Sequence, residues 1–428
     1  MIGGLKQTTS RLAIAAAAGL FMGGIALTPA QAADLGGDCC ADLEERVAEL
    51  EATTVRKGNR KVSVKLTGQV IRQMLFWDDG IEDDVYFTDG GFTHSRFSLE
   101  GTATISPGRK AGFILQHDYL VSNDPNTISN CDTDTLTGTQ CNALPNAVVA
   151  NQERFADLFI SDDKLGKVSL GQGNMASNGT AEVDLSGTGF LGGSDMEASV
   201  SAFRFRTGAG GYGPAIGGVI NNLDGFSRRD RIRYDTPSLG GFIFSTSYAA
   251  DDEVDFALRF AKEWNSVRCA AAVSAGHSTT EDNELDINGV RQSDDAWVYV
   301  GSASCLHTPS GLNLTIAYGE TDEGHDSSGV NVGGSTGDRE YFYIKGGISR
   351  RWNSHGKTSI SVGYGNYDNI GLTNTSAEAD AVEVALVQAI DSAAMSLYAA
   401  YYHYEFDDNT ATSFEDFDAV IAGARIKF

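Results

Sequence analysis

The chain has 428 residues, a formal net charge of −25 and 50 glycines. So acidic a chain lacks the basic face that nucleic-acid binding requires, and its 36 phenylalanines and tyrosines are not typical of a disordered acidic protein. A mean hydropathy of −0.19 excludes a bundle of membrane helices, each of which needs about 20 consecutive apolar residues. A large globular protein or a membrane β-barrel, whose strands alternate apolar and polar residues, fits the composition.

Residues 1–32 have the pattern of a secretory signal peptide. Lys6 and Arg11 supply positive charge, an apolar stretch rich in alanine and glycine follows, and 30–32 is an Ala-Gln-Ala cleavage site. We expect the mature chain to begin at Ala33 and to be exported to an oxidising compartment. A membrane anchor is the disfavoured alternative, because the apolar stretch is short and ends at the cleavage site.

Residues 33–60 are predicted to form a periplasmic segment with one short, coiled-coil-like helix. Heptad-like spacing marks four positions, namely Leu43, Val47, Leu50 and Thr54. Two heptads are too short to associate stably alone, so we expect pairing only where a larger contact already holds chains together. A solvated helix or linker is the alternative. Cys39 and Cys40, just before the helix, either link subunits or remain free.

Four further cysteines are predicted to form two disulfides. Cys131 and Cys141 bracket a polar stretch, which we interpret as a closed loop in preference to a calcium site. Cys269 and Cys305 lie at equal distances from an acidic, turn-rich loop centred on position 287. A hairpin about that centre places the two cysteines opposite each other, as a cross-strand disulfide requires. Two free thiols are the alternative.

From residue 61 onward the apolar pattern has a period of two, which indicates strands with one apolar face. In one example Leu314 and Ile316 share a face, and Asn313 and Thr315 take the other. Short connections alternate with long acidic ones, and counting between them gives 16 strands in 61–428. This all-β pattern predicts a transmembrane antiparallel barrel with short periplasmic turns and long outer loops. A β-sandwich or repeat adhesin is the alternative.

The longest internal connection follows the stretch KVSLGQGN and exceeds fifty residues, a length typical of functional loops. The strand after it, RRDRIRYDTP, places Arg229, Arg231 and Arg233 on one face. Like charges in such a row repel each other, and one arginine on the lipid face of a barrel costs about 2–4 kcal/mol. We therefore expect this face to line a water-filled lumen.

Two stretches, SRFSLEGTATISPGRKAGFILQ (95–116) and RIRYDTPSLGGFIFSTSY (231–248), resemble strand motifs of general bacterial porins, and CADLEERVAELEATTVRKGNRKV resembles porins of alphaproteobacteria. The resemblance covers most of 40–428. It implies a homotrimer of 16-stranded barrels, each with loop 3 folded into its own lumen. It also implies a constriction between a basic wall and an acidic loop. The basic residues would be Arg96, Arg229, Arg231 and Arg233, and the acidic ones Glu182, Asp184, Asp195 and Glu197.

The sequence departs from the family pattern in two places. The segment 202–222 is longer than expected, so Arg204 and Arg206 have no predicted position. Arg72 falls in phase with apolar residues, which places it at the expected trimer interface.

The predicted function is passive diffusion of small hydrophilic solutes and ions through the outer membrane, without cofactor, metal or nucleic acid. Expected partners are further copies of the chain, outer-membrane lipid, and lipopolysaccharide bridged by divalent cations to the acidic loops. A barrel enzyme is disfavoured because the sequence has neither G-x-S-x-G nor H-E-x-x-H. An adhesive or structural protein is the third alternative.

Overall fold

The computed structural model describes residues 61–119, 125, 128–131, 152–250, 252–278, 296–323, 339–368 and 377–428. The predicted signal peptide and N-terminal helix lie outside these residues, as do Cys39, Cys40 and Cys141. The predictions about them, including the 131–141 disulfide and the domain division, therefore stay predictions.

The described residues form twenty strands and very little helix. The strands are β1 (Ser63–Asp78), β2 (Asp83–Thr88), β3 (Arg96–Ser106), β4 (Arg109–Asp118), β5 (Gln152–Asp162), β6 (Gly166–Asn174), β7 (Arg204–Thr207), β8 (Tyr212–Ala215), β9 (Arg228–Asp235), β10 (Phe242–Ala249), β11 (Val254–Trp264), β12 (Val267–Ser278), β13 (Ala296–His307), β14 (Leu312–Glu323), β15 (Arg339–Arg350), β16 (Thr358–Asp368), β17 (Glu378–Ile390), β18 (Met395–Asp407), β19 (Phe414–Glu415) and β20 (Phe417–Lys427). One α-helical turn, α1 (Ile216–Val219), and 3₁₀ turns at Gly189–Leu191 and Asp391–Ala393 complete the elements. No helix in the described ranges is long and apolar enough to cross a membrane.

Sixteen strands close into one antiparallel barrel, as the sequence predicts. Each pairs with the next barrel strand along the chain, and β1 pairs with both β3 and β20 to close the ring. Gln69 of β1 shows the closure, since it lies opposite Arg96 on one side and Lys427 on the other. The short strand β2 extends the wall beyond β3 by pairing with the far end of β1, where Asp78 lies opposite Asp83.

The alternating pattern sorts the side chains as predicted. Leu314 on β14 is 53% exposed on the outer face, whereas Thr315 is 3% exposed on the inner face. The disulfide prediction for the neighbouring strands is also confirmed. Cys269 of β12 lies opposite Cys305 of β13, and the two are bonded.

The hydrophobic core lies inside the barrel, against the strands β15 to β18. Six fully buried tyrosines project inward from these strands, namely Tyr341, Tyr343, Tyr367, Tyr398, Tyr402 and Tyr404. They pack against apolar side chains of the connection between β6 and β9, which we call loop 3 (175–227), among them Phe203 and Ile216. Loop 3 thus fills one side of the lumen, which confirms its predicted inward position.

The second half of loop 3 carries a short hairpin that the sequence did not predict. Its strand β7 pairs with β8 on one side and with β19, from the connection after β18, on the other, which forms a separate three-stranded sheet. Arg204 and Arg206, which had no predicted position, lie in β7. The guanidinium of Arg206 stacks over the Tyr212 ring at 4.1 Å and lies 3.8 Å from Asp79.

Candidate functional site

The first residues of loop 3 are bound to the inner wall at β11. The buried carboxylate of Asp255 accepts hydrogen bonds from the Ser177 N–H at 2.7 Å and the Ala176 N–H at 3.3 Å. Arg259 donates to the carbonyl oxygens of Ala176 and Asn178, at 2.7 and 2.8 Å. Two side chains of one strand therefore satisfy the backbone where the chain leaves β6 and enters the lumen.

Further along, loop 3 follows β13, whose inner face carries small hydroxyl side chains. Ser302 Oγ accepts from the Val183 N–H at 2.9 Å and donates to the Thr180 carbonyl at 2.6 Å. Ser304 Oγ accepts from the Leu185 N–H at 2.9 Å. Serine at alternate positions of the strand therefore serves as a hydrogen-bonding partner for the loop backbone, which keeps the loop flat against the wall.

A polar cavity of about 640 Å³ remains on the other side of the lumen. Its charged lining comes from two sources, the barrel wall and loop 3. The wall supplies three arginines, Arg96, Arg154 and Arg228. The loop supplies three carboxylates, Glu182, Asp195 and Asp224. Amide side chains complete the polar lining, namely Gln116, Asn174, Asn178, Asn221 and Asn222.

Two of the arginines share one buried carboxylate. Asp118 of β4, which has no exposed side-chain surface, lies 3.2 Å from Arg96 Nε and 2.7 Å from Arg154 Nη1. The Arg96 guanidinium also donates to Thr93 Oγ1 at 3.0 Å and to the His94 carbonyl at 3.3 Å. One anion holds two cations in place, so this wall keeps an excess of positive charge beside the cavity.

A bulge in the barrel wall carries Arg154. Gln116 of β4 lies opposite Phe155, whereas the next residue, His117, lies opposite Glu153. Arg154 is the extra residue between them, and such bulges re-aim side chains. The bulge therefore turns an arginine toward Asp118 and the cavity.

Asp224 on the loop side is held by backbone N–H groups. Its two oxygens accept from Gly179 at 2.6 Å and from Ala181 at 2.9 Å. Burial outweighs these bonds and raises the pKa of Asp224 to about 6.

The other carboxylates of this loop are also harder to ionise than usual. Burial, with the charges of Asp224 and Asp195, raises the pKa of Glu182 well above its ordinary value. Burial likewise raises the pKa of Asp195 and of its neighbour Glu197. The acidic side of the cavity is thus closer to neutral than its composition implies.

The structure brings together only some of the predicted site residues. Arg96, Glu182 and Asp195 line the cavity. Asp184 instead points to the wall, where its carboxylate lies 3.1 Å from Lys345 Nζ, and Glu197 is buried in contact with Asp195.

The predicted arginine ladder takes part in ion pairs, and none of its members is among the described residues that line the cavity. Arg231 is bound to Asp157 at 2.8 Å, with 3% of either side chain exposed. The other two pairs are Arg233 with Asp235 at 2.7 Å and Arg229 with Glu253 at 2.7 Å. Arg228, one position before the ladder, is the arginine of β9 that reaches the cavity.

Arg72 is exposed on the outer face of the barrel, in phase with exposed Val70. This is the face that its sequence phase predicts. Its place in a subunit interface stays a prediction.

One group of described side chains could hold a metal ion. His403, Glu405 and Asp416 place ligand atoms within 4.8 Å of one another. The ring nitrogens of His403 already have carboxylate partners, Asp418 at 2.8 Å and Glu405 at 3.1 Å. His403 and Glu405 lie on the face of β18 opposite the buried tyrosines, Asp416 lies between β19 and β20, and none of the three lines the cavity.

A closed 16-stranded barrel with an apolar outer face, a polar cavity and an inward-folded loop defines a channel-forming membrane protein. The chain belongs to the Gram-negative porin family, whose family model matches residues 13–409. It is therefore an outer-membrane channel for passive diffusion. The narrower likeness to alphaproteobacterial porins stays a prediction.

Solved porin structures share the fold at low sequence identity. An anion-selective porin from Comamonas acidovorans is 18% identical, with a TM-score of 0.54 over 86% of this chain and 100% of that chain. OmpF of Salmonella typhi is 13% identical, with a TM-score of 0.52 over 88% and 100%. OprB of Pseudomonas putida is 9% identical, with a TM-score of 0.55 over 90% and 97%. Comparison with curated protein sequences finds no match.

Proposed function

We propose that the channel conducts small hydrophilic solutes and ions and that the polar cavity is its narrowest part. The observation that carries this proposal is the opposition of charge across one cavity. Three arginines of the wall face Glu182, Asp195 and Asp224 of loop 3. The opposite side of the lumen is filled by tyrosines and loop 3, so the path for solutes runs off-centre, along β3 to β9.

Fixed charges of opposite sign on two sides of a pore create a field across the path of the solute, and charged rings of this kind tune selectivity. A polar solute aligns its dipole with that field. An apolar solute displaces water from the charged groups and provides no replacement hydrogen bonds, which is unfavourable. The cavity therefore selects for polarity and size and needs no chemical step.

We further propose that three chains associate into a homotrimer, with the N-terminal helices together in the periplasm. A solved structure of Vibrio cholerae OmpT in its trimer form, which is similar to this chain in fold, supports self-association. The long acidic connections would face outward, where divalent cations can bridge them to lipopolysaccharide phosphates.

The test of the constriction is the reversal potential of purified channels in a salt gradient across a planar bilayer. Arg228→Ser and Arg154→Ser remove positive charge from the cavity, so each shifts the reversal potential toward cation selectivity. Arg351→Ser is the matched control, because Arg351 is exposed and pairs with Asp391 in a turn outside the cavity. If the Arg228 and Arg154 variants had the same reversal potential as the control, these arginines would not be part of the constriction.

A further inference from the structure

We propose that Lys345 is the positioning residue that fixes loop 3 against the wall and thereby sets the shape of the pore. This inference rests on the proposed function. It concerns a buried ionic cluster outside the cavity, formed by Lys345, Glu383, Asp184 and Thr188.

Lys345 joins the wall to the loop. Its ammonium lies 2.9 Å from Glu383 Oε1 on β17 and 3.1 Å from Asp184 Oδ2 on loop 3. A third contact, 3.4 Å long, reaches Thr188 Oγ1. The side chains of Lys345 and Glu383 are fully buried, and that of Asp184 is 7% exposed.

A glycine makes the contact across the wall possible. Lys345 on β15 lies opposite Gly363 on β16, which in turn lies opposite Glu383 on β17. Neighbouring strands are about 4.8 Å apart, so the lysine must reach across a whole strand to meet Glu383. A Cβ at position 363 would already lie 3.1 Å from the Tyr343 hydroxyl. Absence of a side chain at 363 leaves the row clear.

The same ammonium holds both ends of a turn in loop 3. Asp184 Oδ1 accepts from the Ser186 N–H at 2.6 Å, which folds the chain back, and its other oxygen binds Lys345. Thr188, at the end of this turn, directly precedes the 3₁₀ turn at the loop tip. The ammonium therefore joins both ends of the segment 184–188 to the wall, beside two neutral contacts, from the Leu185 N–H to Ser304 Oγ at 2.9 Å and between Thr188 Oγ1 and Ser361 Oγ at 2.8 Å.

The tip that follows carries the acidic side of the cavity. Tyr402 donates to the Leu191 carbonyl and Tyr404 to the Met196 carbonyl, both at 2.8 Å. Asp195, which lines the cavity, lies between these two attachment points. The neutral bonds contribute about 1 kcal/mol each, whereas buried charge-assisted bonds are stronger. Asp255 and Arg259 supply charged contacts at the start of the loop, in 176–178, so we assign to Lys345 the principal anchor of the part that leads to the tip.

Removal of the cation has a defined consequence. Without Lys345, Glu383 and Asp184 would face each other as two buried acids, an arrangement that is strongly unfavourable unless one leaves or is protonated. Asp184 belongs to a loop and Glu383 to the barrel, so the loop is the part that can leave the wall. Asp184 would then enter the lumen.

The experiment compares purified full-length variants by single-channel recording. Asp184→Asn is the decisive change, because it removes the negative charge that binds the loop to Lys345 while the Lys345–Glu383 pair stays intact in the wall. We expect it to replace the single conductance level of the wild type with several levels. Lys345→Met should do the same and also shift the reversal potential toward cations, whereas Lys345→Arg should retain one level.

Tyr343→Phe is the matched control, since Tyr343 is equally buried on the same strand and its hydroxyl has no hydrogen-bond partner among the described residues. Hydrogen exchange of residues 183–191 gives a second readout that does not need conduction. Faster exchange in Asp184→Asn than in Tyr343→Phe supports the anchor. The anchor proposal would be overturned if Asp184→Asn exchanged hydrogen in 183–191 at the wild-type rate and kept the single conductance level of the wild type. A wild type that does not conduct would refute only the channel.

Discussion

Arginine has two different uses in this barrel, and burial separates them. Arg228 lines the cavity, whereas Arg231 on the same strand is enclosed with Asp157. Arg231 also donates to the carbonyl oxygens of Asn174 and Gly171, both at 3.0 Å. A guanidinium with this many internal partners stabilises the junction of β5, β6 and β9 and has little freedom to meet a solute.

Arg231→Ser is therefore expected to act on stability. It leaves the Asp157 carboxylate buried and unpaired, which should lower the free energy of unfolding by about 3–5 kcal/mol. Denaturant unfolding of the barrel in lipid vesicles measures this, with Arg228→Ser as the control of equal side-chain loss. Equal stability of the two variants would contradict the assignment.

The acidic side of the cavity predicts a pH dependence of selectivity. Burial raises the pKa of Asp224 to about 6, so this carboxylate takes up a proton and becomes neutral as the pH falls from 7 to 5. The arginines stay charged throughout. Loss of negative charge opposite fixed positive charge should move the reversal potential toward anions at pH 5. Asp224→Asn should show a smaller pH shift than the wild type; an equal shift would exclude Asp224 as a source.

Sequence reasoning located one arginine and two carboxylates of the cavity, but its ladder was not among the lining residues. Strict alternation predicts Arg231 on the inner face, yet it carries no information about whether Asp157, 74 residues away, will enclose it. Alternation does not predict the direction of the Arg154 side chain either, because the bulge at this residue of β5 interrupts the alternating pattern. Asp224 lies in an Asn-Leu-Asp-Gly stretch that reads as a turn.

At the scale of elements, the barrel strands and the inward position of loop 3 were predictable, but the strands within loop 3 were not. A strand of ten or more residues shows its period clearly, as β14 does. The strands β7 and β8 have four residues each, and β19, which pairs with β7, has two and lies about 200 residues away in the chain. Patterns that short carry almost no signal, so the sheet formed by these three strands was missed.

The Cys269–Cys305 bond joins two strands that hydrogen bonds already align. The bond is expected to stabilise the fold by restricting the conformations of the unfolded chain, since it closes a loop with a sequence separation of 36. Replacement of both cysteines by serine should lower the free energy of unfolding by roughly 3–4 kcal/mol.

The same double variant should leave single-channel conductance unchanged, because Cys305 lies opposite exposed Leu314, on the outer face of the barrel. Denaturant unfolding and bilayer recording measure the two effects on one preparation. An altered conductance with unchanged stability would contradict the claim that the disulfide stabilises the barrel without affecting the pore.

At the scale of the molecule, the barrel has two apolar surfaces and one polar path. Apolar side chains cover the outside, and a second apolar layer lies inside, between the tyrosines and loop 3. Among the described residues the polar path is the off-centre cavity, and charged side chains elsewhere inside the barrel are enclosed in ion pairs such as Lys345 with Glu383. The long acidic connections carry further charge. This arrangement explains how a chain with a net charge of −25 and a hydrophilic average can span a membrane.

Single-channel recording of the purified wild-type protein in a planar bilayer tests the central claim most directly. The account predicts stable, ohmic current steps, because the pore is held open by a loop fixed to the wall. It also predicts that steps appear in groups of three, as expected of a homotrimer. Folded protein that inserts into the bilayer without any conductance would contradict the channel itself.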